Sequence, residues 1–434
     1  MAREMKDSGI EWIGKIPIEW EAKKNKSLFY EVNERCENGK EHTLLAVSEY
    51  YGIAPRSEKI QEGEYETRAT TLDGYKICKC GDIVMNIMLA WKRSTARSGY
   101  DGIVSPAYCV FRKRSSDVDT KFFHYLFRTH ICADMFKRYS TGIIDSRLRL
   151  YPDVFMQLYS IVPPISEQHR IANFLDSKCA EIDRVLEKTR ASIEEYKKLK
   201  QSVITQAVTK GVRGEREMKD SGIEWFRQIP VDVNISRVGY YYNVILGKMI
   251  CSQPQEGMTE YPYFCAANIH YSGIDYYNLK RMWFSSNEIE TYAVRNGDLL
   301  VVEGGAGAGG CAIVKECNEV VGIQNSIQIV RPKHNHDIRY LAYLIQLLVK
   351  SQYIDVVCNK ATIPHFTKDK LLMMPYLVFP INEQQEICNY LDKKCSEIDT
   401  LISKKEQFIT ELESYKKSLI YEYVTGKKEA MNDL

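Results

Sequence analysis

Two stretches of this chain place apolar residues at heptad-like spacing over about forty positions each. In the first they are Ile182, Leu186, Ile193, Tyr196, Val203 and Ala207. In the second they are Ile398, Ile402, Ile409, Leu412, Leu419 and Tyr423, the same positions moved by 216 residues. Lys200 and Lys416 interrupt the stripe at matching places, with Leu199 and Tyr415 beside them. The pattern predicts two helices of roughly 60 Å at 1.5 Å per residue. A stripe of this length needs a partner helix, and the other copy, packed antiparallel, supplies one. Each helix is expected to start at a residue after proline, Ser166 or Asn382, both good N-caps. Glu167 and Glu383 then fall in the first turn, where the helix dipole favours a carboxylate.

The rest of the chain reads differently. Runs 81–86 (GDIVMN) and 297–302 (GDLLVV) are β-rich and follow a Gly-Asp turn, and runs 108–114 and 326–331 predict further strands. Short helices are expected over 120–139 and 337–353. Each body is therefore expected to be an α+β domain of about 150 residues.

The 216-residue offset is part of a larger repeat. Residues 4–17 read EMKDSGIEWIGKIP and residues 217–230 read EMKDSGIEWFRQIP, identical at eleven of fourteen positions. Residues 164–183 (PISEQHRIANFLDSKCAEID) match 380–399 (PINEQQEICNYLDKKCSEID). The chain is one unit of roughly 215 residues written twice. The joining segments are nearly identical, whereas the bodies, 18–160 and 231–376, share little beyond a strand-like skeleton. Segments that match should dock on something common to both halves; bodies that differ should do two jobs of one type.

At 434 residues, several domains are expected. No run approaches eighteen apolar residues, and the N-terminus is too polar for a secretory signal, so the expected setting is cytoplasmic, with no membrane. The 13 cysteines are scattered, with no CxxC pair, and are expected to be reduced core thiols rather than metal ligands. Net charge is only +2, but it is uneven. Residues 1–85 hold 13 Lys/Arg against 16 Asp/Glu, and residues 86–150 hold 12 against 5. A basic face within one domain is the footprint of phosphate binding.

Catalytic motifs fail on inspection. Gly305, Gly307 and Gly310 match GxGxxG, but a β-branched run follows where a dinucleotide site needs a helix. Ser105-Pro106-Ala107-Tyr108 is a near miss to the tetrapeptide of DNA adenine methyltransferases; it lacks the amide or carboxylate and one proline, and is expected to lead into an edge strand. There is no phosphate loop, no metal helix and no histidine ligand spacing, so no catalytic residue is assigned. Polar and basic loops are the better signals. In the first body these are Ser140 and Thr141 with Arg147 and Arg149, and Lys92, Arg93 and Arg97 around Trp91. In the second they are Lys360, Thr362, His365 and Lys368. Hydroxyls, amides near glycine and cations are the groups that grip phosphates, which makes these residues the DNA-contact candidates. Glu167-Gln168 and Glu383-Gln384, equal in both copies, are the candidates for partner docking.

These features resemble the specificity subunits of type I restriction–modification systems, most specifically in the Pro-Ile-x-Glu-Gln…Leu-Asp…Glu-Ile-Asp helix starts and the duplicated SGIEW…IP segments. The resemblance covers essentially the whole chain. It implies an α+β protein, with two target-recognition domains separated by two long antiparallel helices forming a coiled coil, a pseudo-two-fold internal repeat. The expected boundaries are 1–162 and 214–378 for the recognition domains, and 163–213 and 379–434 for the helices. The resemblance also implies that each body reads one half of a split site on double-stranded DNA. It implies docking of two modification (methyltransferase) subunits and up to two restriction subunits. The chain itself would then be no enzyme and hold no cofactor; S-adenosylmethionine and ATP with magnesium belong on the partners. Two rival readings are a stand-alone DNA methyltransferase, disfavoured by the failed motifs, and a coiled-coil scaffold without nucleic acid, disfavoured by the basic half-domain.

Overall fold

The computed structural model describes residues 3–10, 12–59, 71–254, 256–271, 273–305, 307–358 and 364–430. It forms two compact units, Met1–Arg190 with Glu406–Leu434, and Ala191–Lys405. Two long helices, Ile165–Lys210 and Ile381–Val424, contribute a segment to each unit. Both start one residue before the expected N-cap. The Pro164 and Pro380 carbonyls accept the first helical bonds, from the Gln168 and Gln384 backbone N–H groups, so Ser166 and Asn382 lie inside the first turn.

In the first unit, a four-stranded antiparallel sheet runs in the order Phe29–Val32, Tyr108–Lys113, Ile83–Asn86, Thr95–Arg97. Ser105-Pro106-Ala107 therefore leads into an interior strand, not an edge strand. Pro106 is tolerated because it lies in the turn that Tyr108 N–H closes on the Ser105 carbonyl (2.9 Å). The expected single helix over 120–139 is two, Thr120–Phe127 and His130–Arg138, because Thr129 caps the second with its own side chain. Their apolar faces meet the sheet in an aromatic core of Phe29, Phe111, Phe122, Phe123, Phe127 and Phe155.

In the second unit the corresponding sheet runs Tyr242–Leu246, Ile327–Pro332, Leu299–Val302, Cys311–Ile313, again antiparallel. A three-stranded sheet of Lys280–Ser285, Met258–Phe264 and Gly322–Ile323 is added. The helix Ile338–Lys350 closes the core. The strand Cys311–Ile313 follows the glycine run directly, so that run has no helix on which to seat a dinucleotide.

The Gly-Asp turns share one construction. Gly81 (φ +96°) and Gly297 (φ +90°) take a left-handed conformation that other residues adopt at a cost. Arg112 then grips Asp82 with two bonds (2.8 and 2.9 Å), and Arg331 grips Asp298 likewise (2.7 and 2.7 Å). Each fork ties the turn to the neighbouring strand.

The helix segments are antiparallel within each unit. In the first, Asp183 pairs with Lys416 (2.6 Å) and Arg190 with Glu413 (2.5 Å). In the second, Lys200 pairs with Asp399 (2.7 Å). The two lysines that interrupt the stripe thus meet the aspartate of the opposite helix, at matching positions. Ile182, Leu186 and Ile193 are buried, as are Ile398 and Leu419, whereas Leu199 and Tyr415 are exposed.

All thirteen cysteines are free, and nine are buried. Burial pushes the thiols of Cys78, Cys109, Cys132 and Cys311 up to about 12, which keeps them protonated. Among the described residues no group of histidine, cysteine and carboxylate side chains is placed to hold a metal, and no helix is long and apolar enough to cross a membrane.

Candidate nucleic-acid interface

The duplicated Glu-Gln pairs are not surface features. Glu167, Gln168, Glu383 and Gln384 are all under 5% exposed. Glu167 accepts a fork from Arg3 (2.6 and 2.8 Å) and a bond from the Trp20 indole (2.8 Å). Glu383 is paired with Arg216 and Arg213. Gln168 accepts from the Asp119 backbone N–H (2.8 Å) and donates to the Pro163 carbonyl (2.9 Å). Gln384 accepts from Asp337 N–H (3.0 Å) and donates to the Phe379 carbonyl (2.7 Å). Asp119 and Asp337 are themselves the N-caps of the helices Thr120–Phe127 and Ile338–Lys350. The four side chains expected to meet a partner are buried and bonded within the chain. They form an internal clamp that ties the repeated N-terminal segment and the body helix to the long helix.

A second tie lies one turn or more further on. Asp176 accepts from Lys121 (2.8 Å) and the Tyr125 hydroxyl (2.7 Å). Asp392 accepts from Arg339 (2.7 Å) and the Tyr343 hydroxyl (2.7 Å). Sequence reasoning passed over Arg3 and Arg216, although they precede both copies of the repeat with the same 213-residue spacing.

The loop candidates do come together. In the first unit, Leu150 N–H bonds the Ile87 carbonyl (2.9 Å), fixing loop 139–149 beside loop 87–93. Thr141 and Arg149 exchange backbone bonds (2.9 and 3.0 Å), closing the loop that carries Arg147. The Lys92 and Lys137 ammonium groups lie over the Trp91 ring, at 5.1 and 5.0 Å from its centre. Arg93, in a left-handed conformation (φ +65°), turns this loop, and its carbonyl accepts from Arg128 (2.9 Å). Ser140 is spent locally: its hydroxyl donates to the Phe136 carbonyl (2.7 Å).

Arg97 is not part of this face. Its side chain is half-buried and donates to Thr120 Oγ1 (3.2 Å), and its backbone N–H donates to His124 Nδ1 (3.2 Å). Burial, then the nearby Arg128 guanidinium, pushes His124 down to about 3, so it stays neutral as an acceptor.

In the second unit the anchor is repeated: Phe366 N–H bonds the Glu303 carbonyl (2.6 Å), and His365 bridges Gly304. His365 thus sits against the glycine loop. Lys360 and Thr362 lie outside the described residues. Lys368 faces elsewhere, into a basic cavity of about 390 Å³ lined also by Arg237 and Lys333, two cations the sequence reading did not single out.

The family model for the type I restriction modification DNA specificity domain matches residues 230–411. The chain is similar to one from a structure concerned with complex assembly and conformational transition of the type I R-M system. The TM-score is 0.72 and the identity 16%, over 95% of this chain and 99% of that one. It is also similar to the HsdS subunit from Thermoanaerobacter tengcongensis, with TM-score 0.55 and identity 17%, over 95% of this chain and 98% of that one. No curated protein matches by sequence.

Proposed function

We propose, from the match of residues 230–411 to the family model for the type I restriction modification DNA specificity domain and from the fold shared with an HsdS subunit, that the chain is the sequence-specificity subunit of a type I restriction–modification complex. Its two units, centred on the two bodies, are two target-recognition domains in a pseudo-two-fold repeat, and the paired helices are the coiled coil between them. Each unit reads one half of a bipartite, asymmetric site on double-stranded DNA. The observation that carries this reading is the common anchor with unlike contents. The Ile87–Leu150 and Glu303–Phe366 backbone bonds recur at positions 216 residues apart in the two units. The side chains presented are Arg147, Arg149, Lys92 and Trp91 in one, and His365 with a glycine loop in the other. One frame with two different surfaces is what reading two different half-sites requires.

The chain does no chemistry in this reading. A methylated adenine must leave the base stack for an enclosed pocket, which the modification subunit provides together with S-adenosylmethionine. ATP and magnesium serve up to two restriction subunits. With the Glu-Gln pairs buried, docking falls to exposed apolar positions that recur under the 216-residue shift. Val185 matches Leu401, and Leu199 matches Tyr415, each 39–55% exposed. Two equivalent patches fit two modification subunits. Native mass spectrometry with a methylation assay tests this. The expected result is two modification subunits per chain, with sequence-specific methylation only in the assembly. A saturating ratio of one, or methylation by the chain alone, overturns it.

A further inference from the structure

The loop Thr141–Arg149 carries an apolar tip that the fold does not use. Ile143 is 97% exposed and Ile144 is 53% exposed. Nevertheless the loop is built. Its ends are bridged by the Thr141–Arg149 bonds, and a 3-10 turn spans Asp145–Arg147. The base is pinned where Leu150, fully buried, bonds Ile87. Its one carboxylate, Asp145, is taken by Lys137 (2.9 Å). The remaining charges are Arg147 and Arg149. A stiff, β-branched pair is therefore held out from a loop that also carries two cations, Arg147 and Arg149.

Resting on the DNA-reading proposal above, we propose that Ile143, seconded by Ile144, reads thymine by contact with its C5-methyl group in the half-site of the first unit. The Arg147 and Arg149 cations of the same loop match the phosphates that border a groove. Between those phosphates, the thymine methyl is the apolar group that base edges present in the major groove, and aliphatic side chains pair with it. An apolar tip beside cations therefore has a specific complement on duplex DNA, whereas an apolar patch without cations would fit a protein surface equally well. Ile143 is a specificity-determining residue in this account, distinct from the phosphate-gripping arginines beside it.

The test removes the methyl from the DNA. The chain, assembled with its modification subunit, binds duplexes carrying its genomic methylation site, with each thymine replaced in turn by deoxyuridine. At one or two positions in one half-site, the wild-type assembly should bind about fourfold more weakly, the worth of one buried carbon. In the Ile143→Ala assembly the same replacement should cost nothing, while Arg147→Ala keeps the discrimination and weakens binding to every duplex. Uniform tolerance of deoxyuridine by the wild type, or an equal loss in Ile143→Ala, overturns the proposal and leaves sequence-specific binding standing. An Ile143→Ala chain that loses its modification subunit but keeps thymine discrimination assigns the tip to a protein partner and also overturns it. An assembly that does not prefer its own site over a scrambled duplex defeats the DNA-reading proposal itself.

Discussion

The buried clamp and the presented loop of each unit follow opposite rules. In the clamps, Glu167 and Gln168 make nearly the bonds that Glu383 and Gln384 make: an arginine from the repeated segment, a capping N–H, and a carbonyl one turn back. In the loops, among the described residues, the backbone anchor is shared, and the first unit presents arginines, a tryptophan and two isoleucines where the second presents a histidine and glycines. Near-identity in this chain marks what must hold together, and divergence marks what meets something outside. Identity between the copies therefore does not by itself mark a residue for contact with a partner.

Removing a clamp should have the largest effect. Glu167→Ala leaves Arg3 only Glu19 and the buried Trp20 indole N–H without its acceptor, and Glu383→Ala leaves Arg216 only Asp232, so each should lower stability by about 1–3 kcal/mol. Urea denaturation measures this; a docking residue would instead weaken assembly at unchanged stability.

Acid should then separate the units. His124 in the first unit is held neutral well below its ordinary value, at about 3. Its stability contribution is present above the unfolded value near 6.5 and is lost as pH falls from there towards 3, because the unfolded chain takes up the proton first. His124→Gln should flatten the loss of stability of the first unit between about pH 6 and pH 4. His336 in the second unit is also lowered by burial, so that unit should keep its own acid sensitivity in the variant. Hydrogen exchange resolved by segment reads both.

Loop changes should leave stability alone. Arg147→Ala and Arg149→Ala should each weaken binding to all duplexes alike and reduce the slope of log affinity against log salt by about one. A changed base preference would make either residue a base reader. The smallest effect belongs to the matched helix pairs. Asp183 and Lys416 are partly exposed, so Asp183→Ala should cost only about 0.2–1 kcal/mol, and a double-mutant cycle with Lys416→Ala isolates it.

Much of the fold was legible because it rests on periodicity. The apolar stripes gave both long helices and their antiparallel partners, and the Gly-Asp runs gave the central strands. What periodicity could not give was burial of polar groups. Glu167 and Gln168 read as surface because charged residues are rarely buried, yet a paired arginine and a capping amide make that burial tolerable. Arg97 failed for the related reason that Thr120, which it bonds, is distant in sequence. Trp91 with Lys92 was legible because the tryptophan and its cation are adjacent, whereas the Lys137 that joins them arrives only through the fold.

The central claim, that two unlike surfaces on one frame read two unlike half-sites, is tested most directly by mapping methylated adenines. The map would be made in cells carrying this chain with its modification subunit, and again after residues 18–160 are replaced by the body of a related chain. The account predicts a split site with unread base pairs between its halves, of which one half changes on replacement and the other stays. Methylation at a single continuous palindrome, or a change in both halves, would contradict it.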